Sequence, residues 1–139
     1  VQLFSGTHQD DIGVTIAEWF GAISGKPVFG SYSAMGWSDP GGLKSAAIFN
    51  DYTGSNLEIH IVGRMTRQTM REAFRYVFDQ VKVIRLTAKP HRSNKRLLRM
   101  LPKIGFKFEA TLKHYYGPER KDDAIVFRMD RDAALKWMK

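Results

Sequence analysis

The chain has no cysteine. A disulfide framework, a thiolate metal site and a cysteine nucleophile are therefore excluded together, and the composition suits a reducing compartment such as the cytoplasm. Its four histidines, His8, His60, His91 and His114, show no ligand spacing, so no metal is expected. No apolar run approaches the ~20 residues needed to span a bilayer. The opening "VQLFSGTHQDD" lacks the charged-then-apolar pattern of an export signal, so neither export nor a membrane location is expected. Carboxylates are scarce beside bases: 14 Asp and Glu face 22 Lys and Arg, which leaves a net charge of +8.

What the chain does have is core-forming material. Of its 139 residues 43% are hydrophobic, and nine Phe, five Tyr and three Trp are spread along it. That supports one folded domain over residues 1–139 rather than a disordered segment. The positive charge is uneven. Between Arg85 and Lys121 eleven Lys and Arg face only Glu109 and Glu119. Such a surface suits a polyanionic partner, whether a nucleic acid, an anionic membrane or a phosphate-rich small ligand; a face solvated for solubility is the plain alternative. The membrane is the weakest of these, because the basic segment Asn94–Lys103 is short and its Leu face is needed for a core.

Hydrophobic spacing divides the chain into elements. Ile12, Ile16, Trp19, Phe20 and Ile23 recur at helical spacing between Asp10 and Gly25. "VFGSYSAMGW", "LKSAAIFNDY" and "LEIHIV" follow as strands, with turns at "SDPGG" and "TGSN", and make an antiparallel meander. In "TRQTMREAFRYVFDQV", Met70, Ala73, Phe74, Val77, Phe78 and Val81 form one buried helical stripe, with Thr66 as its cap. "VIRLTA" is a strand. Asn94 or Ser93 then caps a short helix that faces Leu97, Leu98, Leu101 and Ile104 inward. Pro102 should kink or shorten it, and Gly105 should stop it. Phe106, Phe108, Ala110 and Leu112 alternate with polar residues as a half-buried strand. "AIVFRM" is the last strand, and a terminal helix starts at Asp130. Three antiparallel strands followed by a strand–helix–strand crossover give an α/β fold: a mixed, mainly antiparallel sheet with helices packed on it.

The stretch "SNKRLLRMLPKIGFKFEATLKHYYG" carries a resemblance. With Asn94, Lys103, Gly105 and Phe106 in register, it is similar to the late N-x-x-A-x-x-L-Y-x-K-x-G-F segment of the GNAT superfamily of acyl-CoA-dependent N-acetyltransferases. It is most similar to the short phage-type members, whose site of action would be the host cytoplasm. The preceding "MREAFRYVFDQVKVIRLTAKPHRSN" resembles that family's long helix and fifth strand, and "DDAIVFRM" its last strand. About half the chain is covered; the N-terminal half agrees in the order of its elements. The resemblance implies a single-domain GNAT-like fold with helices on both sides of the sheet. It also implies acetyl-CoA as co-substrate and direct acetyl transfer to the amine of a protein, peptide or small molecule.

By the same resemblance, acetyl-CoA would lie against Asn94 and the main chain of Ile59, Ile61, Val62 and Gly63. Its pyrophosphate would sit at the start of the long helix, where free N–H groups attract anions. The family's Q/R-x-x-G-x-G/A signature departs there to "GRMTRQTM", which keeps Gly63 alone. The cradle would use the N–H groups of Thr66, Arg67 and Gln68, with charge from Arg64 and Arg67. In "LEIHIV", Leu57, Ile59 and Ile61 share one face, and Glu58, His60 and Val62 the other. His60 is the first candidate for general base, since imidazole ordinarily titrates near neutrality, and Glu58 the second. Leu101 stands where the family often has its acidic Tyr; Tyr115 and Tyr116 lie further on, and no general acid is assigned. A GNAT-shaped binding protein for a nucleic acid or host protein is the alternative that the missing glycines favour. The acceptor is open, and so is a homodimer.

Overall fold

The computed structural model describes residues 1–139. Seven strands form one sheet in the order β1-β2-β3-β4-β5-β7-β6. In chain order the elements begin β1 (Gln2–Thr7), α1 (Asp11–Ser24), β2 (Ser33–Asp39), β3 (Gly42–Asn50) and β4 (Asn56–Gly63). They continue α2 (Arg67–Arg75), β5 (Arg85–Ala88), α3 (Lys95–Ile104), β6 (Lys107–Leu112), β7 (Ala124–Asp130) and α4 (Arg131–Met138). Every strand pair is antiparallel except β4 with β5, the pair that the α2 crossover joins.

Helices cover both faces of the sheet and give it two cores. On one face Ile16, Ala17 and Phe20 of α1 pack on Ala34, Ala46, Ile48 and Val62. The larger core on the opposite face joins Met70, Phe74 and Val77 of the long helical segment, Leu101 and Ile104 of α3, and Ala134 and Met138 of α4 to Trp37, Phe49, Ile59 and Phe127. Central strand β3 is thus buried on both faces, and its run Ala46–Phe49 is continuously apolar rather than alternating.

Local signals set the helix ends. Asp10 caps α1 by accepting from the Gly13 N–H at 2.7 Å, and left-handed Gly25 closes it. The long helix is regular only to Arg75; Tyr76–Val81 is π-helical and ends at left-handed Lys82. Pro102 lies in the last turn of α3, which is short at ten residues, as a proline there predicts.

Two expectations need correction. The first strand is Gln2–Thr7, ahead of the first helix, and β2 starts only at Ser33, so Val28–Tyr32 is loop. Phe106 and Phe108 do not share a buried face. Phe106 is 3% exposed and Phe108 63%: Phe106 precedes β6, its N–H bound to the Leu101 carbonyl in the closing turn of α3, whereas Phe108 stands over Phe127 on an edge strand. The register of β6 on β7 shifts between Phe108 and Ala110, a bulge that puts these two on opposite faces. The bulged residue, Glu109, is gripped by Arg85, with Nη1 to Oε2 at 3.0 Å, and by Arg128 at 3.4 Å.

Candidate functional site

The parallel pair β4–β5 is short. Asn56, Leu57 and Glu58 pair with Arg85, Leu86 and Thr87, and no pair follows. The cause lies in the sequence after β5, where Lys89 leads into Pro90. Proline offers no N–H to a ladder and holds its predecessor extended. The chain therefore stays with β7: Ala88 pairs with Phe127, the Ile125 N–H donates to the Pro90 carbonyl at 3.0 Å, and His91 bridges to Ala124. Strand β4 continues to Gly63 paired with β3 only, and alternate residues of Ile59–Gly63 have no strand partner on the β5 side.

The gap opens into a cleft of about 600 Å³, within the size range of small-molecule sites. Asn94, Arg96, Leu97 and Leu101 of the α3 segment wall it on one face of the sheet. On the other face it is walled by the loop after α1, from Lys26 to Phe29, and by Tyr116. Ile59, His60, Ile61, Val62, Gly63 and Asn94 all line it. Asn94 also caps α3, accepting from the Leu97 N–H at 3.2 Å, so one residue serves both the helix start and the cleft wall.

Glu58 and His60 stand together on the α1 face, as strand alternation requires. Glu58 is 8% exposed. One of its oxygens is 3.0 Å from His60 Nε2 and the other 3.0 Å from Lys89 Nζ. His60 Nε2 also lies 2.9 Å from Asn50 Oδ1. Two oxygen acceptors at Nε2 place the ring proton there, so Nδ1 is the nitrogen with a free lone pair. Burial pushes the Glu58 carboxyl up, but His60 and Lys89 outweigh it and hold the group below its ordinary value. Lys89 mirrors this: burial lowers its ammonium, and Glu58 raises it further than that. Tyr116 donates to the Lys89 carbonyl at 2.5 Å, and burial, with Glu58 and Tyr115 adding, raises its phenol to about 12. It keeps its proton and ties the β6–β7 loop to the end of β5.

The start of α2 is arranged differently from the expected cradle. Arg64, Thr66, Arg67 and Gln68 do not line the cleft. The Thr66 N–H is bound by Thr69 Oγ1 at 2.8 Å in a capping box. Arg67 turns to α4, reaching the Lys136 carbonyl at 3.3 Å and the Trp137 ring. Gln68 bonds Glu72 and the Val1 carbonyl. The cation at this end is instead Arg96, whose Nη2 donates to the Gly63 carbonyl at 2.7 Å. Arg96 shares its helical turn with the predicted Asn94, and that proximity was the signal for it. Asn50, at the end of β3, and Lys89, Lys26 and Tyr116, from separate loops, carry no local motif.

Gly63 is required where it stands. Its φ is +86°, and a Cβ would meet the Lys44 carbonyl at 2.3 Å. Gly63→Ala is expected to destabilise the protein by about 2 kcal/mol. A thermal melt should show the midpoint falling by roughly 8 °C; an unchanged midpoint would rule out the close approach of β4 to β3.

A seven-stranded sheet whose one parallel pair parts beside a helix start is the fold of the GNAT acetyltransferases. Two solved structures show the likeness. The spermidine/spermine N-acetyltransferase SpeG from Vibrio cholerae, in complex with manganese ions, superposes with a TM-score of 0.72 at 11% identity, covering 99% of this chain and 98% of that one. A GNAT family acetyltransferase from Elizabethkingia anophelis, solved with acetyl-CoA bound, gives 0.65 at 11% identity, covering 93% and 97%. At these identities the likeness is one of fold. No protein-family model and no curated protein matches the sequence. No helix is long and apolar enough to cross a membrane.

Proposed function

We propose that this protein is an acetyl-CoA-dependent N-acetyltransferase that transfers acetyl directly to an amine held in the same cleft. The observation that carries the reading is the parting of β4 from β5 after Glu58, with a histidine and its carboxylate beside the opening. A neighbour of the same fold binds acetyl-CoA, which supports it. The residues present fit that molecule. Ile59, Ile61, Leu97 and Leu101 make an apolar slot suited to a slender arm, and Arg96 with Asn94 stands at the α3 mouth without an opposing carboxylate. Arg96 and Asn94 would hold phosphate, and unpaired main-chain groups of Ile59–Gly63 would hold the arm.

When bound, acetyl-CoA supplies an acetyl group activated as a thioester. His60 Nδ1 accepts the proton that the amine gives up as its nitrogen bonds to the acetyl carbon. Glu58 and Asn50 fix the ring through Nε2, and Glu58 stabilises the imidazolium that results. The carbon–sulfur bond breaks and the thiolate takes a proton from water. No tyrosine is needed for that step, and the Tyr116 hydroxyl is engaged elsewhere.

Calorimetry with acetyl-CoA is the direct test. Binding in the micromolar range is expected, and Arg96→Ala should weaken it about tenfold through loss of a charged hydrogen bond. No heat at millimolar ligand, or full affinity in Arg96→Ala, would count against the assignment of the slot.

A further inference from the structure

We infer that the acceptor is an amine that also carries an anionic group, a carboxylate or a phosphate, and that Lys26 takes that group. The inference rests on the acetyl-transfer reading and specifies its second substrate. Three permanent cations line the cleft, Lys26, Lys89 and Arg96, and no carboxylate does. The acids nearby are already neutralised. Glu58 is held between His60 and Lys89, Asp122 lies 3.0 Å from His91, and Asp123 lies 3.3 Å from Arg92. Lys89 is neutralised by the same pairing, so a polyamine entering here would meet the unpaired charges of Lys26 and Arg96 and find no free counter-charge.

The phosphates of acetyl-CoA do not account for Lys26. Arg96 meets the need for charge at the Gly63 end of β4, on the face of α3. Lys26 belongs to the α1 face, and its neighbour Tyr116 is tied to Lys89, which pairs with Glu58. Along β4, Glu58 lies roughly 16 Å from Gly63. Lys26 makes no ion pair; its ammonium rests 4.1 Å from the Tyr116 ring centroid, a weak partner that an anion would outcompete. Glu58 and His60 face the same side, so an amine held there by a second, anionic group stands next to the proposed base.

The test compares matched amines on the whole chain: β-alanine, O-phosphoethanolamine, 1,3-diaminopropane and spermidine. Acetylation with acetyl-CoA gives kcat/KM, and calorimetry on CoA-loaded protein gives binding independently of turnover. One of the two anionic amines should exceed the diamine and spermidine at least about tenfold in both measurements; which one wins separates carboxylate from phosphate recognition. Lys26→Gln should shrink that ratio to about twofold, and Lys26→Arg should restore most of it. Preference for spermidine or the diamine, or a ratio that Lys26→Gln leaves intact, overturns the inference while acetyl transfer stands. Failure of both anionic amines to bind CoA-loaded protein at millimolar concentration also overturns it. If acetyl-CoA itself does not bind, the parent reading falls and this one with it.

Discussion

His60→Ala should lower kcat for amine acetylation by about 10²- to 10⁴-fold, the usual worth of a positioned general base. Acetyl-CoA affinity should change by less than about twofold, because the slot is built from main chain and from α3 rather than from the imidazole. His60→Gln is the sharper control. It keeps a polar group near Asn50 and Glu58 but cannot accept a proton, so it should fall nearly as far as Ala. Single-turnover rates across pH would decide. A His60→Gln enzyme with wild-type rate and an unchanged profile would show that the amine loses its proton elsewhere.

The base depends on its neighbours in a way that pairwise spacing hides. Asn50 sits opposite Glu58 in the β3–β4 register, and its amide oxygen and the Glu58 carboxylate converge on a single ring nitrogen. That convergence, rather than the presence of a histidine, selects Nδ1 as the acceptor. An Asn50→Ala change leaves Glu58 as the sole partner and should reduce the rate less than loss of the imidazole does.

Strand period two was enough to put Glu58 and His60 on one face of β4 and to separate them from Ile59 and Ile61. Helical spacing was enough for the buried stripe of α2 and for the Asn94 cap. The crossover that makes β4 and β5 parallel followed from element order. Strand β1 was not legible: "QLFSGT" has no clean alternation, and its order comes from pairing with β2 at the sheet edge. Phe108 was misplaced because period two assigns a residue to a face but not to a covered part of it; on edge strand β6 it stands over Phe127 and stays exposed. The same limit applies to charge at the cleft. Arg67 and Arg96 look alike as basic residues near helix starts; the fold turns one to Trp137 and the other to Gly63. Lys-Pro after "VIRLTA" was the one local sign that β5 ends early, and it is the feature that opens the site.

Glu58→Ala should cost about 2–3 kcal/mol of stability, less than the 3–5 kcal/mol of a fully sealed ion pair because Lys89 keeps some solvent. The Lys89 side chain is 20% exposed and that of His60 34%. The loss comes from stranding the ammonium rather than from losing an attraction. The double change Glu58→Leu with Lys89→Met should therefore recover most of it. The pH dependence has a definite sign. The Glu58 carboxyl is held below its ordinary value of 4.5 in the folded state. Its contribution is fully present above that value and is lost as pH falls through the depressed one. Lys89 is raised above its ordinary 10.5, so its share is present below that value and fades only as pH rises past the raised one. Urea denaturation of wild type and Glu58→Gln should then show a gap that persists through neutral pH and closes as pH falls through the depressed value of the carboxyl. A gap that stays constant down to that pH would mean that the carboxylate stabilises the fold through its shape alone, and the charged arrangement beside His60 would have to be abandoned.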